Sequence, residues 1–504
     1  MNTWASAVVD RDRFGEWFDE FDVAPVWRDL IADGLSPVAA FEALEGCGPR
    51  FLLESGETDR SRGRFSFVGA GAALTLTRRL GRVRIRGLGL DELAIKGTGD
   101  AIEVAMGRLR APRVPGMPPF HGGLVGVIGA GALLPWGGAA MEAGPGALDA
   151  SMLVPRTVIA FDHLRQTARL VHNVFRVEHH DAEAALAAGV GALDRALCLL
   201  QSPRSPRLEP VPPFNSRIEI ETEVDERVYE RMLLTALDKV VAGDVEQLGI
   251  SRRYRLEAEV APLDVYRALR IMNPSPYMYL LELDAIDVVG SSPQSLVRLR
   301  DGLLSTTAIG GSSPRGADPV LDVAYARALA ADPKQAAEHR HLVAQARGEL
   351  APLLRPGTIE VDPAPEVQLL SHLMHLVTTI RGEPREGVSP LDALAATVPA
   401  GTVCGSPRQK AIAIGREIEA SPRGLYGGAV GYLGFDGELD ACIGIRTLFV
   451  EGSRYWSQAG ASIVAGSEVA AEVRESAMKV KALFAAVVAA KGLGESGEGR
   501  EGGG

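Results

Sequence analysis

The chain has 504 residues, of which 46% are hydrophobic and 23% are charged, and its formal net charge is −11. Because this length exceeds a single small core, the composition predicts a globular protein of two domains or one large two-lobed unit. An acidic chain without a long Lys/Arg run is not expected to bind nucleic acid, and one without a long apolar stretch is not expected to span a membrane. The acidic N-terminus and four scattered cysteines without a CxxC pair predict a cytoplasmic protein with reduced thiols.

Residues 1–200 are predicted to form an N-terminal region of short strands that ends in an Ala-rich helix. Residues 73–87 and 157–178 alternate apolar and polar side chains, a pattern typical of half-buried antiparallel strands. The proline-rich segment 201–215 can continue neither a helix nor a central strand, so it is interpreted as a linker.

Residues 216–490 are predicted to form a second region with longer helices between strands. The segments with helical spacing of apolar residues are 228–244, 333–350 and 467–490, and those that read as hairpins are 286–309 and 439–466. The Gly-rich segment 491–504 is predicted to be a disordered tail.

Carboxylates in two of these helices have spacings that suit a metal site. Glu472, Glu475 and Lys479 are three and four residues apart and so share one helix face, and Glu338 has Gln335 one turn before it. An all-oxygen site of one or two carboxylates plus water and substrate oxygens suits Mg²⁺. Solvent-exposed Glu/Lys pairs on a helix give the same spacing, and that alternative stays open.

Gly-rich segments and one arginine suggest that an anion is bound. Segments 399–408, 423–440 and 458–464 combine small residues with single polar ones, which lets backbone N–H groups approach an anion. Arg446 lies among apolar residues that read as a strand, so a buried position requires an anionic partner. A substrate carboxylate and an internal salt bridge satisfy that requirement equally well.

Nine segments, taken in order, resemble the successive blocks of the chorismate-utilising enzymes, which include anthranilate, aminodeoxychorismate, isochorismate and salicylate synthases. They are NPSPYMYLLEL, VVGSSPQSLVR, AEHRHLV, SHLMHLV, PAGTVCGSPR, GLYGGAVGYLGFDG, CIGIRTL, QAGASIV and EVRESAMKVKAL. The resemblance covers residues 225–490, and FLLES, GRFSFVG and HGGLVG resemble N-terminal blocks of the anthranilate synthase component I type. It implies a two-lobed α/β (α+β) fold, with large antiparallel sheets surrounded by helices and a cleft for chorismate and Mg²⁺.

The resemblance also implies roles for individual residues. The positions that match metal-binding carboxylates are Glu338 and Glu475, with Glu472 beside them. The positions that match substrate-binding residues are Tyr426, Arg446, Gly460, Ala461 and Lys479, and those that match catalytic positions are His375, Gln247, Lys479 and Thr402.

Two positions separate the nucleophiles of the family. Isochorismate and salicylate synthases have a Lys that activates water where this chain has Gln247, and a Gln cannot act as a base. Aminodeoxychorismate synthases have a nucleophilic Lys where AIGGS has Gly310. With water and a lysine side chain excluded as nucleophiles, the remaining reaction is addition of ammonia at C2. Since no GxCxG elbow surrounds a cysteine, the ammonia is expected from a separate glutamine amidotransferase subunit.

Several positions depart from the family pattern. They are Gln294 and Gln335 in place of glutamates, LVAQARGE at 342–349, Arg408 in GSPR and Ser462 in AGASI. A neutral amide cannot supply a proton to the leaving hydroxyl. The departures therefore favour a specialised enzyme of antibiotic metabolism that stops at 2-amino-2-deoxyisochorismate and retains pyruvate. One alternative is anthranilate synthase component I, which releases anthranilate and pyruvate for tryptophan biosynthesis, and another is a catalytically impaired regulatory homologue.

A second ligand site is implied by two further segments. The positions that resemble a tryptophan feedback pocket are Glu54, Ser55, Pro274, Tyr277 and Met278. Inherited packing between lobes would leave the same residues, because allostery requires a coupling between two sites. The sequence leaves homo- or hetero-oligomerisation open.

Overall fold

The computed structural model of the chain describes residues 11–56, 63–91, 95, 97–133, 148–202, 211, 218–362, 364–369 and 373–498. The α-helices are α1 (Arg11–Glu20), α2 (Pro37–Ala43), α3 (Thr98–Gly107), α4 (Ala182–Gln201), α5 (Glu226–Val241), α6 (Pro262–Met272), α7 (Pro319–Ala331), α8 (Pro333–Leu350), α9 (Pro390–Thr397), α10 (Gly401–Cys404), α11 (Arg408–Ile418) and α12 (Val469–Glu498). The strands are β1 (Val23–Ile31), β2 (Arg50–Glu54), β3 (Phe65–Arg79), β4 (Arg82–Arg86), β5 (Gly123–Ile128), β6 (Leu148–Asp162), β7 (Thr167–Phe175), β8 (Glu221–Thr222), β9 (Gln247–Glu257), β10 (Tyr277–Leu283), β11 (Ile286–Ser292), β12 (Ser295–Arg300), β13 (Leu303–Pro314), β14 (Glu360–Val361), β15 (Glu366–Leu369), β16 (Leu373–Gly382), β17 (Gly405–Ser406), β18 (Ala429–Gly434), β19 (Leu439–Ile443), β20 (Thr447–Glu451) and β21 (Arg454–Ile463).

The described strands form one sheet whose long ladders are antiparallel. Strand β6 is its junction, because one edge of β6 pairs with β3 and the other edge pairs with β5 and β7. One arm continues from β3 through β2, β10, β11, β20 and β21 to β9. The other continues from β5 through β18, β19, β12 and β13 to β16. Strands from before and after the predicted linker therefore lie side by side.

The two arms pack against each other and carry helices on their outer faces. One apolar cluster joins Phe67 and Leu281 of the first arm to Val125 and Tyr432 of the second. Helices α6 and α12 cover the first arm, α3 and α9 cover the second, and α4 covers β1 and β7. Burial on both faces explains why β5 is apolar at every position. The predicted mixed α/β fold with a large antiparallel sheet and surrounding helices is confirmed.

The helices begin and end at the residues that capping chemistry favours. The Asp225 carboxylate accepts a hydrogen bond from the Val228 N–H at 2.8 Å at the start of α5. Gly243, with φ of 75°, follows the end of α5. Helix α12 continues through residues 491–498, the first part of the predicted tail, although this stretch contains three glycines, each of which costs a helix about 1 kcal/mol.

Several predicted segments lie partly or wholly outside the described residues. These are the first ten residues, most of the linker at 201–215 and the last six residues, 499–504. The division of the chain into two regions at this linker stays a prediction. In the described part of the chain, no helix has both the length and the apolar character that a membrane crossing requires.

Candidate active site

A cavity of about 170 Å³ lies beside the β9–β21 ladder. Its walls also include α10, α12, the β11–β12 connection and the bend between β19 and β20. Six residues that were predicted to bind substrate or to act in catalysis line this cavity, namely Thr402, Tyr426, Arg446, Gly460, Ala461 and Lys479. Gln294 and Ser462, two of the departures from the family pattern, line it as well.

Arg446 lies in the bend between β19 and β20, so the expectation that it belongs to a strand is wrong. Its φ of 51° is left-handed, a conformation that costs a non-glycine residue about 1–2 kcal/mol, and its carbonyl accepts a hydrogen bond from the Ser291 N–H at 3.0 Å. Burial lowers the pKa of Arg446, while Glu475 and Tyr426 act in the opposite direction. No carboxylate among the described residues pairs with it directly, so its guanidinium is available to an anion in the cavity.

Helix α12 carries the charged groups at the rim of the cavity. The Lys479 Nζ donates to the Gly460 carbonyl at 3.0 Å and lies 3.0 Å from the Glu475 carboxylate. Burial and the charge of Glu475 raise the pKa of Glu472, while Lys479 and a hydrogen bond from Ser467 oppose this. A divalent cation would stabilise these two carboxylates, because they repel each other.

The donor set fits Mg²⁺, which usually takes one or two carboxylates and completes its octahedron with water and substrate oxygens. Glu338 is exposed on α8 and shares a helix face with Gln345 and Glu349, both of which contact Gly401 of the cavity wall. Within the described ranges, no three carboxylate, histidine or cysteine side chains converge into a ready-made metal cage. Protein ligands alone therefore do not surround a metal here.

The segment that carries Thr402 is held from beneath by α8. The Gly401 N–H donates to the Glu349 carboxylate at 3.2 Å, and burial raises the pKa of Glu349 to about 6. A side chain at Gly249 would overlap the Val403 carbonyl oxygen, so a glycine there lets α10 approach β9. In the sequence, Glu349 stands out only as part of segment 342–349, which departs from the family pattern, because a single sequence does not show which carboxylates are buried.

A buried ion pair that sequence reasoning missed braces the wall near Tyr426. Arg423 and Glu419 are 2.8 Å apart with side chains only 8% and 4% exposed, and the Arg423 guanidinium also donates to the Gly249 carbonyl at 2.7 Å. At a spacing of four residues such a pair usually lies on an exposed helix face. Burial raises the pKa of Tyr426 to about 12, so its hydroxyl keeps its proton at neutral pH.

His375 and Gln247 lie outside the lining of the cavity. The Nδ1 of His375 is 3.3 Å from the Gly311 carbonyl, and burial together with the charge of Arg446 lowers the pKa of His375. His375 is therefore neutral at pH 7 and near the guanidinium. Gln247 is 7% exposed, and its Nε2 donates a hydrogen bond to the Ser462 Oγ.

The other departures have distinct surroundings. The Gln294 carbonyl accepts a hydrogen bond from the Ile443 N–H at 3.1 Å, which fixes the connection that brings this side chain to the cavity. The Oε1 of Gln335 accepts from the Ser312 N–H at 2.8 Å and so braces β13. A side chain at Gly310 would overlap Leu342 of α8, so the site cannot accommodate a lysine there without displacement.

A second cavity of about 170 Å³ lies between the two arms of the sheet. Four residues of the predicted tryptophan pocket line it, namely Glu54, Ser55, Tyr277 and Met278. Pro274 does not line it, because Pro274 packs against Gly56, and Pro276 takes its place. Glu54 accepts hydrogen bonds from the Tyr266 hydroxyl at 2.6 Å and from Arg270 at 3.3 Å.

Comparison with known proteins identifies the family of the chain. Residues 83–485 match the family described as chorismate binding enzyme. Anthranilate synthase component 1 of Mycolicibacterium smegmatis is 36% identical over 511 residues, covering 97% of this chain and 95% of the relative, and that of Streptomyces coelicolor is 36% identical over 476 residues, covering 93% and 89%.

Solved structures extend the comparison to the fold. Anthranilate synthase component I from Streptococcus pneumoniae matches with a TM-score of 0.73 at 28% identity, covering 90% of this chain and 99% of that one. The menaquinone-specific isochorismate synthase from Escherichia coli has a TM-score of 0.70 at 19% identity, covering 93% and 95%, which shows a shared fold alone. The chain thus belongs to the chorismate binding enzyme family and is a homologue of anthranilate synthase component I.

Proposed function

We propose that this protein is component I of an anthranilate synthase, a Mg²⁺-dependent enzyme that aminates chorismate at C2 and releases anthranilate and pyruvate. The observation that carries the proposal is a cavity with two cations, Arg446 and Lys479, beside the neutral amide of Gln247. The similarity to anthranilate synthase component 1 along almost the whole chain supports it. The same similarity supports anthranilate as the product better than 2-amino-2-deoxyisochorismate, the product that the departures from the family pattern favour.

The chain's own residues bind and orient the substrate. Arg446 and the Tyr426 hydroxyl hold the enolpyruvyl carboxylate, and Lys479 acts at the ring carboxylate near Gly460. Thr402, whose Oγ1 is buried and has no hydrogen-bond partner among the described residues, lines the ring. Glu338, Glu472 and Glu475 are the residues that would hold Mg²⁺, which would neutralise carboxylate charge and favour departure of the C4 hydroxyl.

The nucleophile is ammonia from a separate glutamine amidotransferase subunit. Gln247 cannot remove a proton from water, and Gly310 leaves no nucleophilic amine. Neutral His375, close enough to Arg446 for its pKa to be lowered, can take up a proton. We further propose that the second cavity binds tryptophan, with the Glu54 carboxylate facing its amino group. Cytoplasmic location and the oligomeric state stay predictions.

Gln294 is the observation that favours the second candidate, an enzyme that stops at 2-amino-2-deoxyisochorismate. It lines the cavity as a neutral amide at a position where the family pattern has a glutamate.

Incubation with chorismate, Mg²⁺ and ammonium, followed by mass and fluorescence analysis, distinguishes the candidates. Anthranilate with equimolar pyruvate supports the proposal, and an accumulating amino-enolpyruvyl diene supports the second candidate. Chorismate binding without turnover contradicts both and favours a regulatory homologue.

A further inference from the structure

The two strands beside the cavity repeat one short pattern. Segments 247–251 (QLGIS) on β9 and 458–462 (QAGAS) on β21 place Gln, Gly and Ser at the same spacing. In the antiparallel ladder, the serine of each segment lies opposite the glycine of the other. Because side chains alternate between the two faces of a sheet, all six side-chain positions of the pattern lie on one face, and each Gln lies diagonally beside the Ser of the other strand.

Both Gln–Ser pairs form the same hydrogen bond. The Gln458 Nε2 donates to the Ser251 Oγ at 2.8 Å, and the Gln247 Nε2 donates to the Ser462 Oγ. Both Gln Oε1 atoms are buried without a partner among the described residues. A serine oxygen that accepts a hydrogen bond from an amide directs its own hydrogen towards a different acceptor.

One half of this arrangement contains that acceptor. The Ser251 hydroxyl donates to the Glu419 carboxylate at 2.7 Å, and this carboxylate is buried and paired with Arg423. In this half of the pattern, the serine that accepts a hydrogen bond from the glutamine amide therefore donates its own hydrogen to a carboxylate.

The other half faces the cavity. Ser462 lines it, and the described residues provide no acceptor for its hydroxyl. Arg446 and Lys479 line the same cavity and attract an anion. The symmetry of the pattern indicates that the missing acceptor is a carboxylate of the bound molecule.

We propose that the Ser462 hydroxyl binds a substrate carboxylate and that Gln247 is a positioning residue that orients this hydroxyl. The inference rests on the proposed function, in which the substrate is a dicarboxylate. Since Gln247 does not line the cavity, it acts on the substrate through Ser462.

Isothermal titration of chorismate, with Mg²⁺ present and ammonium absent, tests the proposal. Loss of a hydrogen bond to a charged group predicts that Ser462→Ala weakens binding by about 10–100-fold, while Ser462→Thr, which keeps the hydroxyl, stays within about threefold of the unsubstituted protein. Ser457→Ala is the matched control, because Ser457 is buried on the opposite face of the same strand and does not line the cavity. Its affinity should equal that of the unsubstituted protein. Ser462→Gly, the residue in the family pattern, repeats the test if the alanine variant folds poorly.

A double-mutant cycle tests the role of Gln247. Gln247→Leu should weaken binding, and Gln247→Leu combined with Ser462→Ala should bind no more weakly than Ser462→Ala alone. Additive losses, or a Ser462→Ala variant that binds normally, would overturn the inference while leaving the proposed function intact. An unsubstituted protein that binds no chorismate overturns both.

Discussion

Replacing Arg446 by glycine should lower activity without lowering stability. The substitution removes a guanidinium that has no direct carboxylate partner among the described residues, and it places glycine at a φ of 51°, where glycine is unstrained. The same residue thus stores backbone strain and supplies the main carboxylate contact of the proposed site.

The magnitudes follow from these two contributions. Relief of the left-handed backbone stabilises the fold by about 1–2 kcal/mol, and the greater freedom of glycine in the unfolded chain offsets about 0.5–1 kcal/mol of that. The free energy of unfolding should therefore stay constant or rise by about 1 kcal/mol. Loss of two charge-assisted hydrogen bonds costs about 3–4 kcal/mol of binding, so kcat/KM should fall by about 10²–10³-fold.

Denaturant unfolding and steady-state kinetics with chorismate measure the two effects. Arg446→Lys serves as the control, because it keeps a positive charge and the strained backbone but loses the planar fork of donors. The reasoning is refuted if Arg446→Gly unfolds at lower denaturant than the unsubstituted protein, or if its kcat/KM falls by less than about fivefold.

Three further predictions concern residues that line or support the two cavities. Because the folded-state pKa of Glu349 is raised from 4.5 to about 6, its ionisation destabilises the fold as pH rises between these values. The Glu349→Gln variant should therefore be about 1–2 kcal/mol more stable than the unsubstituted protein at pH 7.5 and equally stable at pH 4. Equal stabilities at pH 7.5 would contradict this. Gly249→Ala should displace the Val403 carbonyl and with it Thr402, lowering kcat/KM by about 10–100-fold, and kinetics within twofold of normal would exclude that role. Glu54→Gln should raise the tryptophan concentration for half-inhibition at least about tenfold, and unchanged inhibition would place the tryptophan site elsewhere.

Local sequence patterns predicted the elements whose stability is local. The periodic segments 228–244 and 333–350 became α5 and α8, and the alternating segments 73–87 and 157–178 form the antiparallel pairs β3–β4 and β6–β7. The segments read as hairpins, 286–309 and 439–466, each contain one, β12–β13 and β20–β21, together with a strand that pairs elsewhere. Arg446 was misplaced because its apolar neighbours read as a continuous strand, whereas a bend held by the Ser291 N–H interrupts them. The Glu419–Arg423 pair has the spacing of an exposed helix pair, so its burial is visible only in the packed structure.

Contacts between distant segments could not be predicted from the sequence. The hydrogen bond from Gln247 to Ser462 depends on the register of two strands that lie more than two hundred residues apart. A shift of one residue would turn either side chain to the other face of the sheet. The packing of Pro274 against Gly56, with Pro276 lining the second cavity, is likewise a contact between distant segments.

Turnover of chorismate with ¹⁵N-labelled ammonium, in Mg²⁺ and in excess chelator, tests whether the protein is a Mg²⁺-dependent enzyme that aminates chorismate. We expect anthranilate carrying one ¹⁵N atom and an equimolar amount of pyruvate, formed only when Mg²⁺ is present. A hydroxylated product with oxygen from water, or chorismate recovered unchanged, would contradict it.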